Sequence, residues 1–566
     1  MYFCTIKNRT FYKMRAKQVI VAVAAMMLAA AANGQGILGG NVTGNVQMDA
    51  QMSRADSTIG AMDVPEKLLM NARADILYTN GDFSAGLRFE AYQNPLLGFD
   101  AQWQGQGLAH YFVGYNSKLL SVTVGHFYEQ FGSGLILRTY EDRYLGLDNA
   151  LFGINVALRP VEGVTIKALA GKQRYYWELG DGLVRGVDAE ANIVQLVPSL
   201  RDSKLRAIVG AGFVSRYEDE EIIGSETPGY RLKLPLNSGA ASVRAELGWG
   251  GWSLQGEYAR KGQDPTVMNG FTYKEGQVMT ATLGYSQRGF SASVQGRRVE
   301  NMSFKSMRTV AGQQLYINYL PAITRQHTYA FMTIYPYATN DMGEQGLQGD
   351  VMWKVKKETW LGGKYGMDIH VNSAIVCGLD TTVIGGAGSD GYKVNGGFGP
   401  LLFGEATVEL ARKLSKEVKL TLVYSYQAFN PAVEGEPSDL FHNNIVVADV
   451  AWKLSKKHAL RFEAEWMGSD SHRDVAAGHT DPRLGDWVMG LVEWNIGSKW
   501  FVSVSDQLAY NDGKGNYYNV SVGYTSGATR LQAGYGKQRR GMLCIGGVCR
   551  EVPASNGLTF SLTTSF

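Results

Sequence analysis

Ionised side chains two residues apart recur along the sequence: Arg73 and Asp75, Arg88 and Glu90, Arg244 and Glu246, then the run Arg461, Glu463 and Glu465, with Glu257 alone in its segment. A two-residue interval places side chains on one face of an extended strand. Opposite charges held that way can do one of two things. They can neutralise each other in a packed interior, or they can line a polar path for a solute.

Catalytic chemistry finds little support. The sequence has no G-x-S-x-G elbow, no H-E-x-x-H and no phosphate-cradling loop. His472 and His479 share the segment "SDSHRDVAAGHTD" with Asp470, Asp474 and Asp481. Those ligand types suit a metal, but the segment reads more simply as a solvated loop. "GAGSDGYKVNGG" (386–397) lacks the carboxylate spacing and closing Glu of a calcium loop. No catalytic residue, metal site or cofactor is expected. A hydrolase built on an unrelated Ser-His pair is the remaining enzymatic alternative.

The charges need strands to hold them, and the sequence supplies strands throughout. In "RFEAEW", Phe462, Ala464 and Trp466 oppose Arg461, Glu463 and Glu465. In "SVRAELGW", Val243, Ala245, Leu247 and Trp249 oppose Arg244, Glu246 and Gly248, and "WSLQGEY" and "YNVSVGY" alternate likewise. The segments are about ten residues long, the length of a tilted membrane strand. A charge on the lipid face would cost about 2–4 kcal/mol near the midplane, so the charged faces must point inward. The last residues, "NGLTFSLTTSF", alternate to the end: Leu558, Phe560, Leu562 and Phe566 share one face.

Twelve short turn signals, from "NGD" at 80 through "LPAITR" at 320 to "SGAT" at 526, alternate with longer polar or Gly-rich stretches at 180–186, 261–275, 375–398, 429–441, 468–483 and 541–555. Short turns alternating with long loops are the layout of an outer-membrane barrel. The expectation is an all-β, single large transmembrane antiparallel β-barrel over residues 35–566, with about 26 strands within a range of about 20–26. Composition agrees: 69 Gly, 11% aromatic and 19% charged residues, and a net charge of +3 that argues against nucleic acid as a partner. No tryptophan–aspartate or similar motif recurs at a fixed period, which argues against a propeller.

Residues 1–34 read as a signal peptide, with Lys13, Arg15 and Lys17 before the apolar stretch from Val19 to Ala32 and Met14 as an alternative start. Alternation begins near Gly40, leaving no room for a plug domain ahead of the first strand. The segment "GSGLILRTYEDRYLGLDNALFG" (132–153) is too apolar for a free loop. It is expected to fold into the bore or pack as a strand extension above the membrane, with Arg138, Tyr140, Glu141, Asp142 and Arg143 as its polar residues. "CIGGVC" brackets Gly546 and Gly547, which suit a tight reversal, so Cys544 and Cys549 are expected to form a disulfide in the final extracellular loop. Two free thiols, or a link to Cys377, are the alternatives.

A resemblance enters with "KQRRGMLCIGGVCREVPASNGLTFSLTTSF" (537–566) and "FYEQFGSGLILRTYEDRYLGLDNALFGINV" (127–156). Together with the N-terminal segment and the terminal Phe, they resemble Gram-negative outer-membrane barrels, in particular a Bacteroidota family without an assigned activity. The resemblance implies outer-membrane localisation, contact with outer-membrane lipids, and Phe566 as the residue read by the barrel assembly machinery. Two functions follow as expectations. One is a passive or gated conduit for a polar or amphiphilic solute. The other is a structural or assembly subunit with a filled lumen, joined to an envelope partner such as a lipoprotein or another barrel.

Overall fold

The alternating segments become strands because each has one face for a polar interior and one for hydrocarbon. In the computed structural model, which describes residues 39–225, 229–434, 439–471, 481–511, 515–546 and 548–566, they form a 24-stranded antiparallel sheet. The expected signal peptide lies outside the described residues. The first strand, Asn41–Arg54, pairs with Leu69–Asn80 on one side and with the last, Ser555–Ser565, on the other, in register from Asn45↔Ser565 to Arg54↔Asn556. The sheet therefore closes on itself and has no edge along that seam. Phe566 extends the seam: its amide N donates to Gly44 O and the Gly44 amide N donates to Phe566 O, each at 3.0 Å.

Eleven of the twelve turn signals join consecutive strands at one end of the barrel. The twelfth, "LPAITR", does not. It lies in a long connection between Phe290–Glu300 and Gly343–Val355 that enters the bore. Removing one turn removes one hairpin, which accounts for 24 strands where a count of turns gives 26. Two stretches read as loops are strands: 180–186 lies within Glu178–Asn192, and 375–398 is largely Met367–Val383 and Tyr392–Lys413. The glycines that made 180–186 look loop-like are there because interior chain passes close by. A Cβ on Gly182 would collide with Ser306 O, and one on Gly186 would meet the Phe131 ring at 2.8 Å.

The outward face is apolar and exposed, as at Val243, Leu247, Leu254, Met279 and Leu283. At the short-turn end it carries Trp249, Trp252, Trp353, Trp452, Trp494 and Trp500, all exposed. An apolar band with an aromatic girdle is the surface a membrane barrel presents to lipid. Apolar burial lies inside the bore instead, in clusters centred on Phe131, Ile136 and Phe304 and on Phe331, Tyr335 and Trp487.

Candidate functional site: the sealed bore

Three connections at the long-loop end turn inward. Residues 128–150 leave the wall after Leu120–Phe127 and return at Leu151–Leu158. Residues 301–342 form the second. The third is the hairpin Gly541–Ile545 with Val548–Val552, in the last connection. They meet at Tyr319. Its backbone N donates to Gly134 O (3.0 Å) and its hydroxyl to Gly546 O (2.6 Å), while the Arg138 guanidinium lies 4.0 Å from its ring centre and 4.9 Å from that of Tyr140. The backbone N of Arg138 donates to Ile317 O (2.8 Å), and Asn318 Nδ2 donates to Met302 O (2.8 Å) and Leu135 O (3.3 Å). Leu135, Ile136 and Leu137 are almost wholly buried against Phe304 and Ile317.

Cys544 and Cys549 are joined, and Cys377 stands apart as a free thiol in a wall strand. Gly546 takes the positive φ (+59°) that the reversal requires. The hairpin tip is not a free loop end, because Gly546 O also accepts from Ala322 N at 3.2 Å.

Four of the ten wall charges, Arg73, Arg88, Glu257 and Glu465, bond these segments directly, and the other six pair within the wall. Arg73 and Arg88 share Asp75, at 2.9 and 2.6 Å, and both reach Glu141 on the first segment. Arg174 bonds Glu90 (2.6 Å) and Asp148 (2.7 Å). Burial alone would raise the Asp148 carboxyl, but Arg174 and Arg88 hold it below the usual carboxylate range. Glu90, Glu141 and Asp148 bring oxygens within 4.8 Å of one another, near enough for a metal ion. Arg88 lies within 3.7 Å of all three, so a guanidinium already supplies the positive charge there. Arg143 Nη1 donates to Gln47 Oε1 (2.7 Å), and the Asp142 carboxylate accepts from the Tyr144 and Leu145 backbone N, both at 3.0 Å.

Glu257 accepts from the Ser133 backbone N (2.8 Å) and hydroxyl (2.7 Å). Gly132 makes this approach possible: its φ is +52°, and a Cβ there would stand 2.8 Å from the Glu257 carboxylate. Glu465 accepts from the backbone N of Ala330 and of Phe331, both at 2.9 Å. Arg461 pairs with Asp449 (2.9 Å) and Glu463, Arg244 with Asp188 (2.7 Å), and Glu246 with Arg206 (3.5 Å).

Sequence reasoning missed the 301–342 segment and the residues that fix it. His327 Nε2 lies 2.8 Å from Glu405, Gln427 Nε2 donates to Met332 O (3.1 Å), and Arg325 pairs with Glu409 (3.1 Å). Its signal was composition, in the apolar run "LYINYL" and "YAFMTIYPY". Of the loop weighed as a metal site, His472, Asp474 and His479 lie outside the described residues. Asp470 and Asp481 are engaged by His442 (2.8 Å) and Arg483 (2.7 Å).

The seal occupies one half of the bore. Inward side chains near the long-loop end, such as Val278, Val299, Phe429 and Trp487, are buried. Near the short-turn end the small inward side chains of Ala157, Ala411 and Thr421 are covered by their neighbours, but the long charged ones are not: Arg206 and Glu190 are 64% and 47% exposed. A charged vestibule therefore leads from the short-turn end to an apolar seal.

Closed wall, apolar outer band and charged inner wall face define the class as a transmembrane β-barrel with an internally folded seal. The chain belongs to a family of unknown function, DUF6029, whose model matches residues 14–566. No curated relative matches the sequence. Among solved structures it is similar to the P pilus usher (PapC) translocation pore, at 10% identity and a TM-score of 0.40 over 93% of this chain and 99% of that one. It is also similar to the siderophore receptor PirA from Pseudomonas aeruginosa, at 9% identity and a TM-score of 0.39 over 93% and 80%. The outer membrane protein opdK from Pseudomonas aeruginosa gives 13% and 0.36 over 74% and 99%.

Proposed function

We propose that the protein is an outer-membrane conduit, closed at rest by its own inward segments, for a polar or amphiphilic solute. The short turns would face the periplasm and the long loops the exterior. One observation carries this reading: the bore is sealed only at the long-loop half, and the remaining half is an exposed vestibule lined by Arg206, Glu246 and Glu190. A barrel filled for strength alone has no use for a charged vestibule. No step of this reading calls for catalysis, a cofactor or a metal. Outer-membrane lipids and the barrel assembly machinery are its expected partners, and Phe566 its assembly signal.

A second reading is favoured by the burial inside the seal. Phe131, Ile136, Phe304, Phe331 and Tyr335 are fully buried, as in a permanent core. On that reading the barrel is an assembly subunit with an envelope partner, a lipoprotein or another barrel. Planar-bilayer recording of the purified protein separates the two. Brief openings from a closed baseline support the conduit. Silence under all voltages, with a partner retained in mild-detergent pull-down, supports the subunit.

A further inference from the structure

The wall has a notch where the first inward segment leaves it. Leu120–Phe127 and Leu151–Leu158 have eight residues each, and every other strand of the large sheet has ten or more. At about 3.3 Å per residue and a tilt near 40°, eight residues rise about 20 Å, against an apolar band about 25 Å tall. The neighbouring strand Gly105–Asn116 continues past them. It pairs with Leu120–Phe127 only from Phe112↔Gly125 to Asn116↔Ser121, so Gly105–Tyr111 has a strand on one side alone. On the far flank, Val164–Tyr175 passes its last partner at Leu151↔Gln173 and turns into Glu178–Asn192.

The notch is concave and faces lipid. Leu108 (53% exposed), Tyr111 (40%) and Leu179 (41%) form its rim with Phe152, and His126 is its floor, with Nδ1 3.2 Å from the Tyr111 backbone N. Its inner wall is Trp177, which packs on Gly105, where a Cβ would come within 2.9 Å of the indole. Trp177 Nε1 donates to Trp103 O at 2.8 Å, and Arg174, bound to Glu90 and Asp148, stands behind it. Lys172 is cross-strand from Phe152 on the same face, the place from which a lysine reaches the headgroup level.

Two demands meet here. Among the described residues no strand pairs with the outer edge of Gly105–His110; that edge needs hydrogen-bonding partners that hydrocarbon cannot provide, and the rim needs an apolar cover. A molecule with a polar head and an acyl chain meets both. We propose that the notch binds one outer-leaflet amphiphile, its acyl chain against Leu108, Tyr111, Phe152 and Leu179 and its polar head on the free edge. Trp177 and Arg174 close that site on its inner side, with the Arg174 guanidinium turned away to Glu90 and Asp148.

The test uses the full chain in phosphatidylethanolamine vesicles containing a phosphatidylethanolamine with a diazirine-labelled acyl chain. After photolysis, adducts are mapped by peptide mass spectrometry. Adducts should concentrate at 105–111 and 176–179 relative to the outward faces of Asn237–Trp249 and Trp252–Lys261. Ala109 also lines the notch, 8% exposed, and Ala109→Phe, which fills it, should abolish that enrichment while leaving adducts elsewhere. Leu108→Trp, at an exposed outward position, serves if Ala109→Phe fails to assemble. Adducts spread evenly over the lipid face, or an enrichment that survives in a correctly folded filled variant, would overturn the proposal. The site stands apart from the axial conduit: enrichment without conductance refutes only the conduit, and conductance without enrichment refutes only this site.

Discussion

Glu465 offers a direct lever on the seal, because its carboxylate is almost wholly buried and accepts two backbone N–H groups of the 301–342 segment, each at 2.9 Å. A hydrogen bond to a charged group contributes about 1.5–3 kcal/mol. Two such bonds nominally contribute about 3–6, and water entering the vacated space should recover part of that. Taking about 3 kcal/mol as the loss in Glu465→Ala, and about 1.4 kcal/mol per tenfold in an equilibrium constant, the open fraction should rise roughly 100-fold. The assay is the frequency of openings in planar bilayers, at matched amounts of protein with intact heat-modifiable mobility. Glu246→Ala is the control. Its partner Arg206 is 3.5 Å away, both side chains are partly exposed, and neither is bonded to an inward segment, so opening frequency should not change. Equal frequencies in Glu465→Ala and wild type, or equal increases in both variants, would refute the claim that these bonds hold the bore shut.

Three further outcomes are expected. Arg174→Ala removes the 2.6 and 2.7 Å partner of buried Glu90 and Asp148 and leaves them only Arg88 at 3.7 and 3.6 Å, which should cost about 3 kcal/mol, the low end for a broken buried pair, and lower the guanidinium midpoint of unfolding in detergent; an unchanged midpoint would refute it. Burial pushes the Lys305 amine down to about 7 from its ordinary 10.5, so between those values the unfolded chain binds more protons than the folded one. Stability should then rise with pH by up to about 1.4 kcal/mol per unit, and Lys305→Met should flatten the rise in unfolding titrations from pH 7 to 10. Deleting Phe566 removes the two 3.0 Å bonds to Gly44 at the seam and should reduce the heat-modifiable, membrane-inserted fraction; an unchanged fraction would count against its role in assembly.

How much of this was legible follows from where each residue finds its partner. "RFEAEW" declares its faces because a strand has period two and lipid tolerates only one of them; Arg461 pairs with Asp449 and Glu463, and Glu465 with the 301–342 segment. What Glu465 binds was hidden: its partners are the Ala330 and Phe331 amides, 135 and 134 positions away. Arg174 was hidden for the opposite reason. Alternation assigns it to the lipid side with Lys172, yet the notch lets it reach through to Glu90. Segments packed on every side show no period at all, so only composition could reveal them. That was enough for "GSGLILRTYEDRYLGL". It was not enough for 301–342, where Pro321 inside "LPAITR" gave a turn signal at the regular spacing. The same interior chain explains the false loop at 180–186. A wall strand facing a close-packed segment has to give up side chains where the segment touches it. Glycines along one face of a barrel strand can therefore mark the path of the chain inside.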